Sequence, residues 1–110
     1  MPIVDHGTAS PVEMLPGVIR RTLTDGDRMM LCEIRMNKGA VVPLHEHTAL
    51  EQTFMLEGFL EDAEGRCGAG DFVWRPGGNI HVAHAPNGAT FLSVFTRPNR
   101  FFDGTKFFTS

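Results

Sequence analysis

Apolar and polar residues alternate along most of this chain in short runs, and turn-forming residues interrupt them at intervals of about eight to twelve positions. Met30, Cys32, Ile34 and Met36 occupy every second position, interleaved with Met29, Leu31, Glu33 and Arg35. That two-residue period is the mark of a strand with one buried face, and the first set predicts a row lining the interior. Further strands are predicted over residues 17–23 (GVIRRTL), 40–47 (AVVPLHEH), 51–62 (EQTFMLEGFLED, with a bend at Gly58), 71–75 (DFVWR), 80–85 (IHVAHA) and 90–96 (TFLSVFT). Residues 24–27 (TDGD) predict a hairpin turn centred on Asp-Gly, and residues 63–70 (AEGRCGAG) a turn-rich connector. No stretch of a dozen residues keeps the 3.6-residue period of a helix. The pattern predicts one all-β domain, an antiparallel sandwich or barrel.

Strand parity then assigns faces. His45 and His47 point to one side together with Val41 and Pro43, and Glu46 points to the other. On the next strand Glu51, Thr53, Met55 and Glu57 share a face, opposite Gln52, Phe54 and Leu56. Two imidazoles at i and i+2 can reach one ion, and Glu51, opening the following strand, can return a carboxylate to the same point. His81 follows a Pro/Gly turn (PGGN), whereas His84 has the opposite parity and faces away. Imidazole with carboxylate suits Fe(II), Mn(II), Ni(II), Cu(II) or Zn(II) alike. A lone HxH is weak evidence, since histidines are common on surfaces. A buried trio with no ion, however, would leave ring nitrogens unpartnered at about 1–3 kcal/mol each.

The spacing around the histidines strengthens the case. Residues 39–58 place Gly39, five residues, His45-x-His47, three residues, Glu51, six residues and Gly58. Residues 70–81 place Gly70, five residues, Pro76-x-Gly78, two residues and His81. Both resemble the paired motifs of the cupin superfamily, and Ala85 stands where the second motif usually ends in Asn. The glycines fall at bends that favour them and Pro76 stiffens a corner. Residues 56–71 (LEG…ED…EG…GAGD) further resemble the cupins of ChrR-like zinc anti-sigma factors and of β-diketone-cleaving dioxygenases. The resemblance implies an antiparallel jelly-roll β-barrel that holds one divalent metal on His45, His47 and His81. It leaves open whether Glu51 is a fourth ligand or a base beside the metal.

Three functions follow from that resemblance. One is a metal-dependent dioxygenase or related lyase acting on a small dicarbonyl or enolisable molecule, with Glu51 catalytic and Arg75, Met36 and Thr53 contacting substrate. Another is a metal-dependent isomerase or epimerase with Glu51 as base. The third is a sensor domain, for which a chain of 110 residues leaves little room for a partner-binding unit. Of Trp74 and Arg75 only one can face inward. The scarcity of buried charge favours Trp74, while an inward Arg75 would bind a carboxylate or enolate.

Composition narrows the remaining classes. Net charge is −3, which gives no basic footprint for nucleic acid. No apolar run is long enough to span a membrane, and the first residues lack a secretory pattern. Cys32 and Cys67 form no CxxC pair and read as reduced thiols of a cytoplasmic protein. The pairs Phe101-Phe102 and Phe107-Phe108 predict that the tail, residues 99–110, docks on the barrel or on a second copy. With the apolar Phe54 and Leu56 face, they predict a homodimer.

Overall fold

The computed structural model describes residues 1–26 and 28–103. Asp27 and the Phe107-Phe108 pair of the tail expectation lie outside them. Ten strands run through the described residues: β1 (Pro11–Leu15), β2 (Val18–Gly26), β3 (Met29–Met36), β4 (Ala40–Glu46), β5 (Glu51–Asp62), β6 (Gly65–Gly68), β7 (Phe72–Arg75), β8 (Ile80–Ala85), β9 (Ala89–Phe95) and β10 (Arg100–Phe101). The one helical element among them is a 3-10 turn over His6–Thr8. Among the described residues no helix is long and apolar enough to cross a membrane. All pairings are antiparallel, in the order β1-β2-β3-β9-β5-β8-β4-β10, with β6 and β7 added to β5. The sheet curls into an all-β barrel, as the pattern of short strands predicts.

β5 is the strand that turns the sheet. Its first part pairs with β9 and β7, and its last part, from Phe59, pairs with β6 and β8. Gly58 sits at the change, with φ of +68°. The core fills the curl. Cys32, Ile34 and Met36 of β3 are buried, as their period predicts, against Val18, Val42, Met55, Ala83, Ala85 and Phe91.

Several local expectations are corrected. Val42, not Val41, faces inward: Val42 is 6% exposed and Val41 is 44% exposed. The register between β4 and β8 slips between Val42 and His45. Pro43, with no amide hydrogen to give the ladder, sits in that bulge. Simple alternation therefore fails upstream of Leu44 and resumes at His45 and His47. A second bulge between Met55 and Glu57 turns Glu57 out to solvent, while Thr53 and Met55 stay buried. Gly26 pairs with Met29, so the first hairpin reverses after the Asp25-Gly26 pair rather than on it. The 63–70 connector contains strand β6, and residues 11–15, not expected as a strand, pair with β2. The segment after Pro98 returns to the barrel as β10, where Phe101 pairs with His45 and is itself buried.

Candidate metal centre

His45 and His81 are direct neighbours across the β4–β8 ladder. His47, one step past the end of β4, is held by its backbone: its amide donates to Asn79 O (2.9 Å) and its carbonyl accepts from Gly78 N (2.7 Å). The Pro76–Asn79 turn thus fixes His47 as well as delivering His81. The three side chains offer one ring nitrogen each, and those nitrogens lie within 4.8 Å of one another. His45 and His47 are buried and His81 nearly so. His84 lies between the buried Ala83 and Ala85 on the strand and opposes Glu61 and Val41, outside the cluster.

The ring nitrogens face different partners. His45 Nδ1–H donates to Pro43 O at 2.8 Å, which leaves its Nε2 lone pair free. His81 Nδ1–H donates to Asp62 Oδ2 at 3.0 Å, which does the same. His47 Nε2 lies 2.9 Å from His81 Nε2. Without a cation, His47 must carry its proton on Nε2 to donate across that gap. Its Nδ1 is then a buried lone pair with no hydrogen-bond partner, 3.6 Å from Glu51 Oε2. A cation on the three Nε2 atoms removes the conflict. The His47 proton would move to Nδ1, 3.6 Å from Glu51 Oε2, while His45 and His81 keep their second N–H on Pro43 O and Asp62 Oδ2, the usual support of metal-bound histidine. The donor set therefore fits a divalent metal.

Electrostatics agree. Burial lowers all three imidazoles from their ordinary value, His47 to about 3 and His81 to about 4, with Arg75 adding to the effect at each. They are neutral and ready to ligate at pH 7. Burial pushes the Glu51 carboxyl up to about 7, against the pull of Asn99 and Arg75. Burial would also raise Asp62, but the Glu64 amide, Arg75 and His81 outweigh it and hold that carboxyl below the usual range.

These values set the acid stability of the metal-free protein. The folded His47 and His81 values lie below the ordinary 6.5, so their contribution is complete above pH 6.5 and lost as pH falls toward 4. Glu51 acts in the opposite sense: its contribution is present below pH 4.5 and lost as pH rises through about 7. Between pH 4.5 and 6.5 His47 and His81, joined in the same sense by His45, oppose Glu51 alone, so stability should rise with pH. Thermal melts of chelator-treated protein should show Tm climbing across that window. A flat or falling Tm would contradict the neutral trio.

His45 and His81 open onto a cavity of about 200 Å³, and His47 packs behind them. Ile34, Val42, Leu60, Val73, Ala83 and Phe91 give it an apolar wall. Thr53 lines it and its hydroxyl shares a hydrogen bond with Ser93 at 3.0 Å. Glu51 also lines it, near Asn99, but lies outside the three-nitrogen cluster. Arg75 faces this cavity and Trp74 is 59% exposed, which reverses the expected order. Its guanidinium pairs with Asp62 and Glu64 and donates to Asn79 Oδ1. Met36 is packed in the core and does not line the cavity. Asp62, a cavity residue missed by the sequence reading, could have been suspected only from the acidic pair Glu61-Asp62 within the second half of β5.

A family model described as the ChrR Cupin-like domain matches residues 3–100. No curated protein sequence matches the chain. Among solved structures, a cupin-like protein of unknown function from Ralstonia eutropha JMP134 is 24% identical, over 96% of this chain and 74% of that one, with a TM-score of 0.77. The complex of Rhodobacter sphaeroides SigE with the anti-sigma ChrR is 26% identical, over 79% of this chain and 49% of that one, with a TM-score of 0.74. An acetylacetone dioxygenase from Acinetobacter johnsonii is 16% identical, over all of this chain and 83% of that one, with a TM-score of 0.79.

Proposed function

We propose, for a chain that belongs to the ChrR cupin-like family, that it is a metal-dependent dioxygenase or related lyase acting on a small dicarbonyl or enolisable compound. One observation carries this reading: three neutral imidazoles, with no carboxylate in their cluster, converge beside a small cavity that has an apolar wall. Neutral ligands leave the charge of a divalent ion uncompensated, and the cationic Arg75 on the same wall is already neutralised by Asp62. An anionic oxygen ligand such as an enolate would supply the missing charge. The metal, when bound, supplies Lewis acidity and a site for dioxygen. The protein's own groups do the rest. The apolar wall excludes water, the Thr53–Ser93 pair offers a hydroxyl to a substrate oxygen, and Glu51 stands off the metal to accept the proton of a C–H acid. The acetylacetone dioxygenase of the same fold supports this assignment.

Metal analysis of protein purified without added metal, joined to oxygen uptake over a panel of β-diketones, tests it. Iron or copper with uptake is the expected result. Turnover without oxygen uptake would point to an isomerase. Stoichiometric zinc with no turnover would sink the enzyme reading in favour of a sensor, the reading that likeness to the anti-sigma ChrR complex supports. Glu51→Gln separates the roles of that carboxyl. Metal affinity should fall by no more than about 10–100-fold, as for loss of a supporting group, while turnover should fall by about 10²–10⁴, the range for a general base. Loss of the metal itself would make Glu51 a ligand.

The chain should also form a homodimer through its outer sheet face. Phe54, Phe72 and Trp74 adjoin on β5 and β7, with Phe54 opposite Phe72, and are 44%, 56% and 59% exposed. So much adjoining aromatic surface is unusual on a monomer. Sedimentation at micromolar concentration should give a dimer, and Phe72→Glu with Trp74→Glu should give monomers that keep their metal. A monomeric wild type would refute it.

A further inference from the structure

We propose that Asp62 is the positioning residue of the metal ligand His81, a role that rests on the three-histidine reading above. Asp62 ends β5 at the β5–β6 hairpin, and its side chain is 5% exposed. Its two oxygens are divided between two tasks. Oδ1 accepts from the amides of Glu64 (2.8 Å) and Gly65 (3.2 Å), which closes the hairpin turn. Oδ2 accepts from His81 Nδ1–H at 3.0 Å and from the Arg75 guanidinium. Each oxygen has two donors, so the carboxylate cannot rotate without breaking several bonds at once.

The consequence falls on His81. Donation of Nδ1–H to Asp62 fixes the tautomer in which Nε2 holds the lone pair, and Nε2 is the atom turned toward His47. The other supported ligand, His45, leans on a backbone carbonyl two residues earlier in its own strand. His81 instead depends on a charged group 19 residues away in sequence. A carboxylate is the stronger acceptor and raises the basicity of the ring it orients. Arg75 is the second part of the device. It holds Asp62 and reaches Asn79 Oδ1 in the turn before His81. The hairpin, the turn and the ligand are thereby set as one unit.

Two measurements test this on the intact chain. In metal-free wild type, ¹⁵N NMR of the imidazoles should show His81 as the Nδ1–H tautomer, and in Asp62→Ala it should show a mixture with Nε2–H. Co(II) titration should show affinity lower by about 10–100-fold in Asp62→Ala, the range for losing a supporting partner, at unchanged stoichiometry. Asp62→Asn keeps the size and one acceptor oxygen, so it should fall between the two and serves if Asp62→Ala does not fold. Glu33→Gln, which alters only a surface pair with His6, should match wild type in both. An unchanged His81 tautomer, with Co(II) affinity within about twofold of wild type, would overturn the proposal. If wild type binds no Co(II), the metal reading fails, and the tautomer shift alone decides what Asp62 does.

Discussion

Replacing His45, His47 or His81 with alanine should each strip most of the divalent metal from the protein. The three nitrogens form one cluster with no carboxylate in it to compensate. Removing one leaves two imidazoles, and the loss should exceed the roughly 10–100-fold that follows removal of an outer-shell partner. His81→Ala should show a further effect, because it leaves the buried Asp62 carboxylate with one donor fewer on Oδ2. His84→Ala should change nothing, since that ring lies outside the cluster. Metal content after gel filtration and calorimetric titration of the stripped protein would measure all four. Retention of metal by His81→Ala, with loss in His84→Ala, would mean that the β8 register is wrong by an odd number of residues.

The convergence of the three histidines was legible because strand parity and one turn encode most of it. His45 and His47 share a strand face, and the Pro76–Asn79 turn has a length and composition that return the chain to them. Glycine and proline spacings encode that return directly, since few other residues tolerate those backbone conformations. The period of β3 was legible for a similar reason: it is a regular strand with one dry face. What failed were places where regularity breaks. Pro43 forces a bulge, and a single slipped residue moves every upstream side chain to the other face. Val41 and Val42 exchange places for this reason alone.

The preference for an inward Trp74 failed differently. Burial statistics treat one residue at a time, and a lone buried arginine is indeed rare. Arg75 is inside because Asp62 and Asn79 converge on it, and Asp62 arrives from a hairpin 13 residues earlier in the chain. A pairwise cause of this kind leaves no periodic trace. The same holds for β10. The two phenylalanines at 101 and 102 signalled a docked tail, but not that Phe101 would stack on His45 with ring centroids 5.0 Å apart. Deleting the chain after Pro98 would therefore disturb a ligand as well as any dimer contact.

Gly58→Val should be the most damaging single change outside the ligands. Gly58 has φ of +68°, and an added Cβ would sit 2.1 Å from Gly88 O and 3.0 Å from Ala89 Cα. The obstacle is backbone, so no side chain can swing aside. The left-handed conformation alone costs a substituted residue about 1–2 kcal/mol, more for a β-branched one, and the clash must push β9 away from β5 where Gly58 pairs with Ala89. The total should exceed about 4 kcal/mol, which belongs to the exceptional class of point mutations. At about 4–8 °C per kcal/mol for a domain near this size, Tm should fall by roughly 15–30 °C or the chain should fail to accumulate. Gly39→Asn is the matched control. Gly39 has φ of +81° with open space where a Cβ would go, and Asn tolerates that conformation, so the loss there should stay near 1 kcal/mol. Because β5 passes from one half of the curl to the other at Gly58, the damage should reach the site. Phe59 to Asp62 lie just beyond it and end at the carboxylate that meets His81. Metal affinity should therefore fall in any Gly58→Ala protein that still folds. A Gly58→Val protein that melts within a few degrees of wild type would show that Gly88 yields easily, and that the corner of the sheet is not fixed by this contact.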